Sequence, residues 1–112
     1  MSDSAGKKAK EFKLYDLRVT VVEIHGRSVC GLEVGDYFEV RNSNQVFIPP
    51  GRYFCMYAMA SVLPLLPAKQ RQLDKNDWMA ADSRVACPDP DERVVMKIER
   101  IGEVRLDREQ LT

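Results

Sequence analysis

Two stretches of the chain alternate apolar and polar side chains, which is the pattern of a strand with one buried face. They cover residues 14–24 and residues 93–101. Gly102 should end the second strand, and residues 103–106 are predicted to add an edge strand. The side chains expected on the buried faces are Leu17, Val19, Val21, Val94, Met96 and Ile98, and the polar positions of the first strand are Asp16, Arg18 and Thr20.

Shorter extended segments are predicted between these two strands. Residues 36–40, 45–48 and 84–87 are rich in β-branched or aromatic side chains and are bounded by turn residues. The Asn-Ser-Asn sequence at 42–44 predicts a turn, and the Pro-Pro-Gly sequence at 49–51 predicts a loop, because proline cannot continue a strand ladder.

Residues 53–68 carry no charged side chain and are apolar almost all round. Their length and their content of alanine, methionine and leucine favour a helix, and Pro64 should end or kink it near Val62 or Leu63. A helix that is apolar on all sides is buried on several of them. The residues expected to face the sheet are Phe54, Tyr57, Ala58, Ser61, Val62 and Leu65.

The opposite side of this predicted helix is also apolar, and exposed apolar strips on soluble proteins usually mark contact surfaces. The interface residues predicted there are Met56, Met59, Ala60, Leu63 and Leu66. Two alternatives remain open: the strip binds a partner, or the curled sheet or the loop around Trp78 covers it and leaves a monomer. A partner would be a second copy in a homo-oligomer or a larger enzyme that contains this chain as a subunit.

The elements together predict an α+β fold. We expect a four- or five-stranded antiparallel sheet with one main apolar helix packed on it, and the N-terminal strand near the strand at 93–101. Residues 1–10 are predicted to be a disordered tail, residues 11–106 a single domain and residues 107–112 a loose tail.

Composition narrows the class of protein. The chain has 112 residues with 17 basic and 17 acidic side chains, so its balanced charge argues against a nucleic-acid-binding protein. No stretch has the layout of a signal peptide, and no apolar run is long enough to span a membrane. We therefore expect a cytoplasmic protein with no membrane partner.

The three cysteines and the single histidine are candidate metal ligands. His25, Cys30, Cys55 and Cys87 form one Cys3His set of the kind that zinc accepts, and iron is the other metal considered. No two cysteines form a Cys-x-x-Cys pair, so the fold alone would have to bring them together. Buried inert thiols are the competing interpretation, and a reactive thiol at Cys30 or Cys87 is a third.

Other candidate chemistry is limited. The sequence contains no phosphate-binding loop, nucleophile elbow or zincin helix, so no catalytic residue is predicted. Tyr53, Tyr57 and Trp78 are candidates for lining a small-molecule pocket between the helix and the sheet.

Three motifs, taken together, carry a resemblance to a known family. They are Cys30-x-x-x-Val34-Gly35-Asp36-x-Phe38-x-Val40, Phe54-Cys55-x-Tyr57-Ala58, and Ala86-Cys87-Pro88-Asp89 followed by Val94-Val95-Met96-Lys97-Ile98-Glu99-Arg100-Ile101. Over residues 14–101 the chain resembles a small uncharacterised prokaryotic family of single-domain proteins of roughly 100 residues. The resemblance implies that the thiols matter to the family. The chain departs from the family at residues 90–92, which read Pro-Asp-Glu where many members have a glycine or a further cysteine.

Two functional hypotheses follow from the sequence. The first is a small accessory subunit or interaction domain that associates through the apolar helix, because no catalytic set accompanies the uncharged segment. The alternative is a thiol or metal protein that uses the three cysteines, with zinc or iron, in redox or metal-assisted chemistry.

Overall fold

Two strands of 14 residues form the centre of the fold in the computed structural model. β1 (Glu11–Ile24) and β5 (Val94–Asp107) run antiparallel and pair from Glu11↔Asp107 to Ile24↔Val94. Beyond this ribbon, Lys10 Nζ lies 2.7 Å from Glu109 Oε1. The residues that the structure describes are 10–27, 31–81, 83–91 and 93–111.

Three shorter strands complete one antiparallel sheet. β2 (Tyr37–Arg41) and β3 (Gln45–Phe47) extend it on the β1 side, and β4 (Ser83–Ala86) extends it on the β5 side. The strand order is β3-β2-β1-β5-β4. The structure therefore confirms the predicted α+β fold with a five-stranded antiparallel sheet, and it confirms that the first strand lies beside the strand at 93–101.

The prediction that Gly102 ends the last strand is wrong. β5 continues through Gly102, which pairs with Asp16, so residues 103–106 belong to β5 rather than to a separate edge strand. A register shift lies between Asp16 and Leu17, and there Ile101 is the extra residue of a bulge. A glycine inside a strand often marks a bulge rather than the end of the strand, as it does here. After β5, residues 108–110 form a 3₁₀ turn where the sequence predicts a loose tail.

The helical segment lies across one face of the sheet in three pieces. α1 (Met56–Val62) leads into a 3₁₀ turn (Leu63–Leu65) and then into α2 (Leu66–Lys69). Pro64 lies in the 3₁₀ turn, and it has no N–H to donate to the helix ladder. The predicted break near Val62 or Leu63 is confirmed. No helix of the described residues has the length and apolar character needed to cross a membrane.

The core lies between this segment and the face of the sheet that carries Leu17, Val19 and Phe38, which we call the core face. Every residue predicted on the buried faces of the two long strands is buried. The Phe38 and Phe54 rings meet edge to face, with their centroids 4.8 Å apart. The segment buries every fourth residue against this face, namely Phe54, Ala58, Val62 and Leu66.

Polar contacts fix the end of α2 to the sheet. The backbone oxygen of Gln70 accepts a 2.7 Å hydrogen bond from the Tyr15 N–H, and its side-chain Nε2 donates to the Ser43 oxygen at 2.9 Å. Arg100 donates from Nε to the Lys69 oxygen and from Nη2 to the Arg71 oxygen, at 3.0 and 2.9 Å. These bonds satisfy carbonyl groups at the helix end that have no partner within the helix.

Replacing Gln70 by alanine is expected to lower the free energy of unfolding by about 1–2 kcal/mol, because the half-buried backbone oxygen of Ser43 loses its hydrogen-bond donor. Gln72→Ala is the matched control, since Gln72 is exposed, and it should change stability by less than about 0.5 kcal/mol. Urea unfolding followed by circular dichroism measures both variants. Equal losses from the two substitutions would show that the Gln70 side chain does not fix the helix end.

Candidate functional site

The outward side of the helical segment is apolar along its whole length. We call this surface the outer strip, and its exposed members are Met56, Tyr57, Ala60, Leu63, Pro64 and Pro67. Their spacing of three and four residues places them on one side of a helix, opposite the side that packs on the sheet. Met56 and Tyr57 are 68% and 69% exposed.

The outer strip differs from an ordinary surface helix. A helix that covers a sheet normally presents charged or polar side chains to solvent, which keeps its outward side hydrated. Here no charged residue lies between Tyr53 and Ala68. A contiguous exposed apolar strip of this kind is typical of a contact surface.

The structure places the five predicted interface residues in three environments. Met56, Ala60 and Leu63 are exposed on the outer strip, whereas Met59 is half-buried and packs against the core. Leu66 is 3% exposed, so its placement on the interface is wrong. The reason is that every fourth residue from Phe54 onwards faces the sheet. Leu66 belongs to this series and Tyr57 does not. Tyr57 is therefore also misplaced in the prediction that it faces the sheet.

Trp78 does not cover the helix. It begins a 3₁₀ turn (Trp78–Ala80) and is 72% exposed, and its neighbour Met79 is the buried residue of that turn. The outer strip is exposed among the described residues, which contradicts the alternative that the Trp78 loop hides it.

The candidate metal ligands lie in different environments. Cys55 is half-buried at the N-terminus of α1, Cys87 is buried, and Cys30 lies outside the described residues. His25 is exposed, and its Nε2 lies 2.7 Å from Glu23 Oε2. Hydrogen bonds from His25 and Arg84 lower the pKa of the Glu23 carboxyl. Within the described ranges, no three His, Cys, Asp or Glu side chains are placed to hold a metal ion.

Neither of the two depressions that the described residues form beside β2 is lined by Tyr53, Tyr57 and Trp78 together. Tyr53 lines a depression beside β2, and its hydroxyl lies close to where a Cβ of Gly31 would be. Gly31 has a φ of +79°, which also favours glycine at this position. Tyr57 and Trp78 are outward-facing and exposed, and neither lines that depression.

A cluster that the sequence does not indicate lies on the opposite face of the sheet, which carries Arg18, Tyr37 and Glu39 and which we call the open face. The Glu39 side chain is 5% exposed and lies between two arginines. Its Oε2 accepts from Arg18 Nε at 2.8 Å, and its Oε1 accepts from Arg41 Nε at 2.8 Å. The two guanidinium groups lie over the rings of Tyr37 and Phe47, at 4.9 and 5.4 Å from the centroids.

The two arginines decide the charge of the buried carboxyl. Burial raises the pKa of Glu39, but the hydrogen bonds from Arg18 and Arg41 lower it more, so the net pKa lies below its ordinary value. Glu39 is therefore ionised at neutral pH, and two cations share one anion. The only signal in the sequence is the alternation of Glu39 and Arg41 on one strand and Arg18 on another, and their pairing depends on the register of β1 and β2.

Comparison with known proteins gives no match: no family model, no curated protein and no solved structure is similar to this chain. The resemblance of the three cysteine-containing motifs to a prokaryotic family stays a prediction. The chain's own surfaces therefore carry the functional evidence, and the outer strip is an exposed apolar surface on the helical side.

Proposed function

We propose that this protein is a small interaction domain that associates with a second copy of itself through the outer strip. The single observation that carries the proposal is the row of six exposed apolar positions in a segment without charge. Under this proposal the chain is a small accessory subunit, and the cytoplasmic location expected from the sequence is kept as part of the proposal.

A second copy suits this surface for a physical reason. In a two-fold symmetric dimer the same patch meets itself, so charged residues of one sign would repel each other across the axis. The outer strip has no charge, and therefore no such repulsion. Ala60 lies in the middle of the strip, and its small side chain allows two helices to approach closely there.

The area is sufficient for a dimer of modest affinity. An exposed aromatic side chain offers about 150–250 Å², so covering the exposed parts of Met56, Tyr57 and Leu63, with Ala60 and the two prolines of the strip, removes on the order of 500 Å² per copy. Two copies then bury about 1,000 Å², which is the lower limit for a specific interface. Aromatic residues and methionine are also enriched in such interfaces.

Sedimentation velocity tests the proposal. The wild-type protein is expected to shift from monomer to dimer between roughly 1 and 200 μM, as an interface of this size predicts. Tyr57→Glu and Met56→Glu should each keep the protein monomeric, because a charge in a buried interface loses its hydration. Val34→Glu is the control, since Val34 is an apolar residue with 62% exposure in the turn before β2.

Two results would overturn this proposal. One is a wild-type protein that stays monomeric up to about 200 μM. This result counts against the proposal even if the chain then associates with a larger enzyme. The other is a dimer that persists in both glutamate variants. Circular dichroism of each variant checks that the fold is retained.

Thiol or metal chemistry has less support. Cys87 is buried and Cys55 is half-buried, which is the usual environment of an inert cysteine. His25 is engaged with Glu23 on the surface.

A further inference from the structure

A groove runs over β2 on the open face, away from the outer strip. It consists of two depressions of about 160 and 290 Å³ that share Tyr37 and Pro49. Arg52 and Tyr53 line one end, and Arg41 and Phe47 line the other. We call this surface the Tyr37 groove.

Rings and prolines provide the walls of the groove. Tyr37, Phe47 and Pro49 present flat apolar surfaces, and such surfaces hold the body of a small organic ligand while a few polar groups orient it. Each depression is at or below the lower end of the range for drug-sized ligands, about 300–1,000 Å³. The groove therefore suits a molecule of one or two rings rather than a nucleotide.

Each end of the groove has an arginine held by a carboxylate. Arg41 donates from Nε and Nη2 to Glu39, and Arg52 donates from Nη2 to Asp36. The side chains of Glu39 and Asp36 are only 5% and 10% exposed, whereas those of Arg41 and Arg52 are 49% and 50% exposed. The buried carboxylates thus orient guanidinium groups whose remaining N–H donors reach solvent.

The two ends differ in net charge. At one end Asp36 and Glu33 both face Arg52, whereas at the other end Arg41 shares Glu39 with Arg18. Arg18 also lies opposite Glu99 on β5, which is 3.8 Å from Lys97, so carboxylates do not outnumber cations at the Arg41 end as they do at the Arg52 end. The Arg41 end is therefore the more positive of the two. A guanidinium group binds carboxylates through its fork of N–H donors, and an oriented group loses less entropy when it does so.

We propose that the Tyr37 groove binds a small aromatic carboxylate, with the carboxylate on Arg41 and the ring against Tyr37 and Pro49. The site is a second function of the chain, independent of the outer strip. The ligand of this site has a negative charge at one end and a planar apolar body.

The test compares 2-naphthoate with 2-naphthalenemethanol, which has the same rings and no charge. Titration followed by amide chemical shifts of the wild-type protein should show saturable changes at residues 35–41 and 47–53 for the acid. The alcohol should bind at least about tenfold more weakly, because it cannot pair with the guanidinium group. Added salt should weaken the binding of the acid only.

A pair of variants separates Arg41 from general surface charge. Arg41→Gln should weaken binding of 2-naphthoate about tenfold or more, whereas Arg84→Gln should leave it unchanged. Arg84 is a matched control because it is an exposed arginine on β4 that pairs with Glu23. The monomeric Tyr57→Glu variant should bind like the wild type, so failure of the dimer proposal leaves this one standing.

The proposal is overturned if 2-naphthoate gives no saturable shift up to about 10 mM, or if the alcohol binds as well as the acid. It is also overturned if Arg84→Gln weakens binding as much as Arg41→Gln. The comparison of acid with alcohol uses only the wild-type protein, so it decides the matter even if Arg41→Gln does not fold.

Discussion

Replacing Phe38 by alanine is expected to lower the free energy of unfolding by about 3–5 kcal/mol, which is a large part of the stability of a typical domain. Phe38 is fully buried on β2, opposite Val19 of β1, and its ring meets that of Phe54. Alanine would leave a cavity between the sheet and the start of the helical segment. The loss combines the transfer free energy of the ring with the cost of that cavity.

Urea unfolding measures this loss, and Phe47→Ala is its matched control. Phe47 is also a phenylalanine of the sheet, but it lies on the edge strand β3 and is 46% exposed. The control should cost no more than about 1 kcal/mol. A Phe38→Ala protein as stable as Phe47→Ala would mean that the core does not depend on the contact between the two rings.

Replacing Glu39 by glutamine is expected to lower the free energy of unfolding by about 2 kcal/mol at pH 7. The glutamine amide can accept from one arginine but presents its own N–H donors to the other. Both arginines are about half exposed, so water screens part of the lost interaction.

The same prediction has a defined pH dependence. The pKa of Glu39 is lowered in the folded state from an ordinary value of 4.5, so the folded state favours the ionised carboxyl. This contribution is complete above the ordinary pKa and is lost as the pH falls through the lowered one. The difference in stability between wild type and Glu39→Gln should therefore be constant from about pH 7 to pH 5 and shrink below about pH 4.

Urea unfolding at several pH values checks this dependence. Glu103→Gln is the control, because the Glu103 side chain is 60% exposed and lies 3.6 Å from Lys13 at the nearest atoms. It should change stability by less than about 0.5 kcal/mol at every pH. A difference for Glu39→Gln that stays constant down to about pH 3 would show that its ionisation does not stabilise the fold.

The buried faces of the long strands could be predicted because alternation is a local property of the sequence. Val19 and Ile98 are apolar between polar neighbours, and this is sufficient to identify the side of the strand that is buried. The limits of the ribbon are not local, because a glycine such as Gly102 can either end a strand or lie beside a bulge within it. The outcome depends on the partner strand β1, where the register shifts between Asp16 and Leu17.

The rotation of the helix could not be predicted for a related reason. A helix with one polar side has a defined orientation, but residues 53–68 have no charge to mark the solvent side. Tyr57 and Leu66 are both apolar, so only docking on the sheet decides which of them is buried. Three of the five predicted interface residues nevertheless lie on the outer strip, because almost any rotation leaves apolar residues exposed.

The Glu39 cluster depends on contacts between strands. Arg18 and Glu39 lie opposite each other in the sheet but 21 positions apart in the sequence. No spacing rule joins them. The Tyr37 groove also depends on contacts between elements that are separate in the sequence. Arg41 at one end lies on β2, and Arg52 at the other end lies in the loop after β3.

The long ribbon also determines how the chain must fold. Ile24 and Val94 pair at its inner end although about 70 residues separate them, whereas β2 and β3 are joined by a short turn. Closing so long a loop costs entropy before any ladder bond forms, and non-local pairing of this kind slows folding to milliseconds or longer. We therefore expect formation of the β1–β5 register, rather than of the helix or the β2–β3 hairpin, to limit the rate of folding.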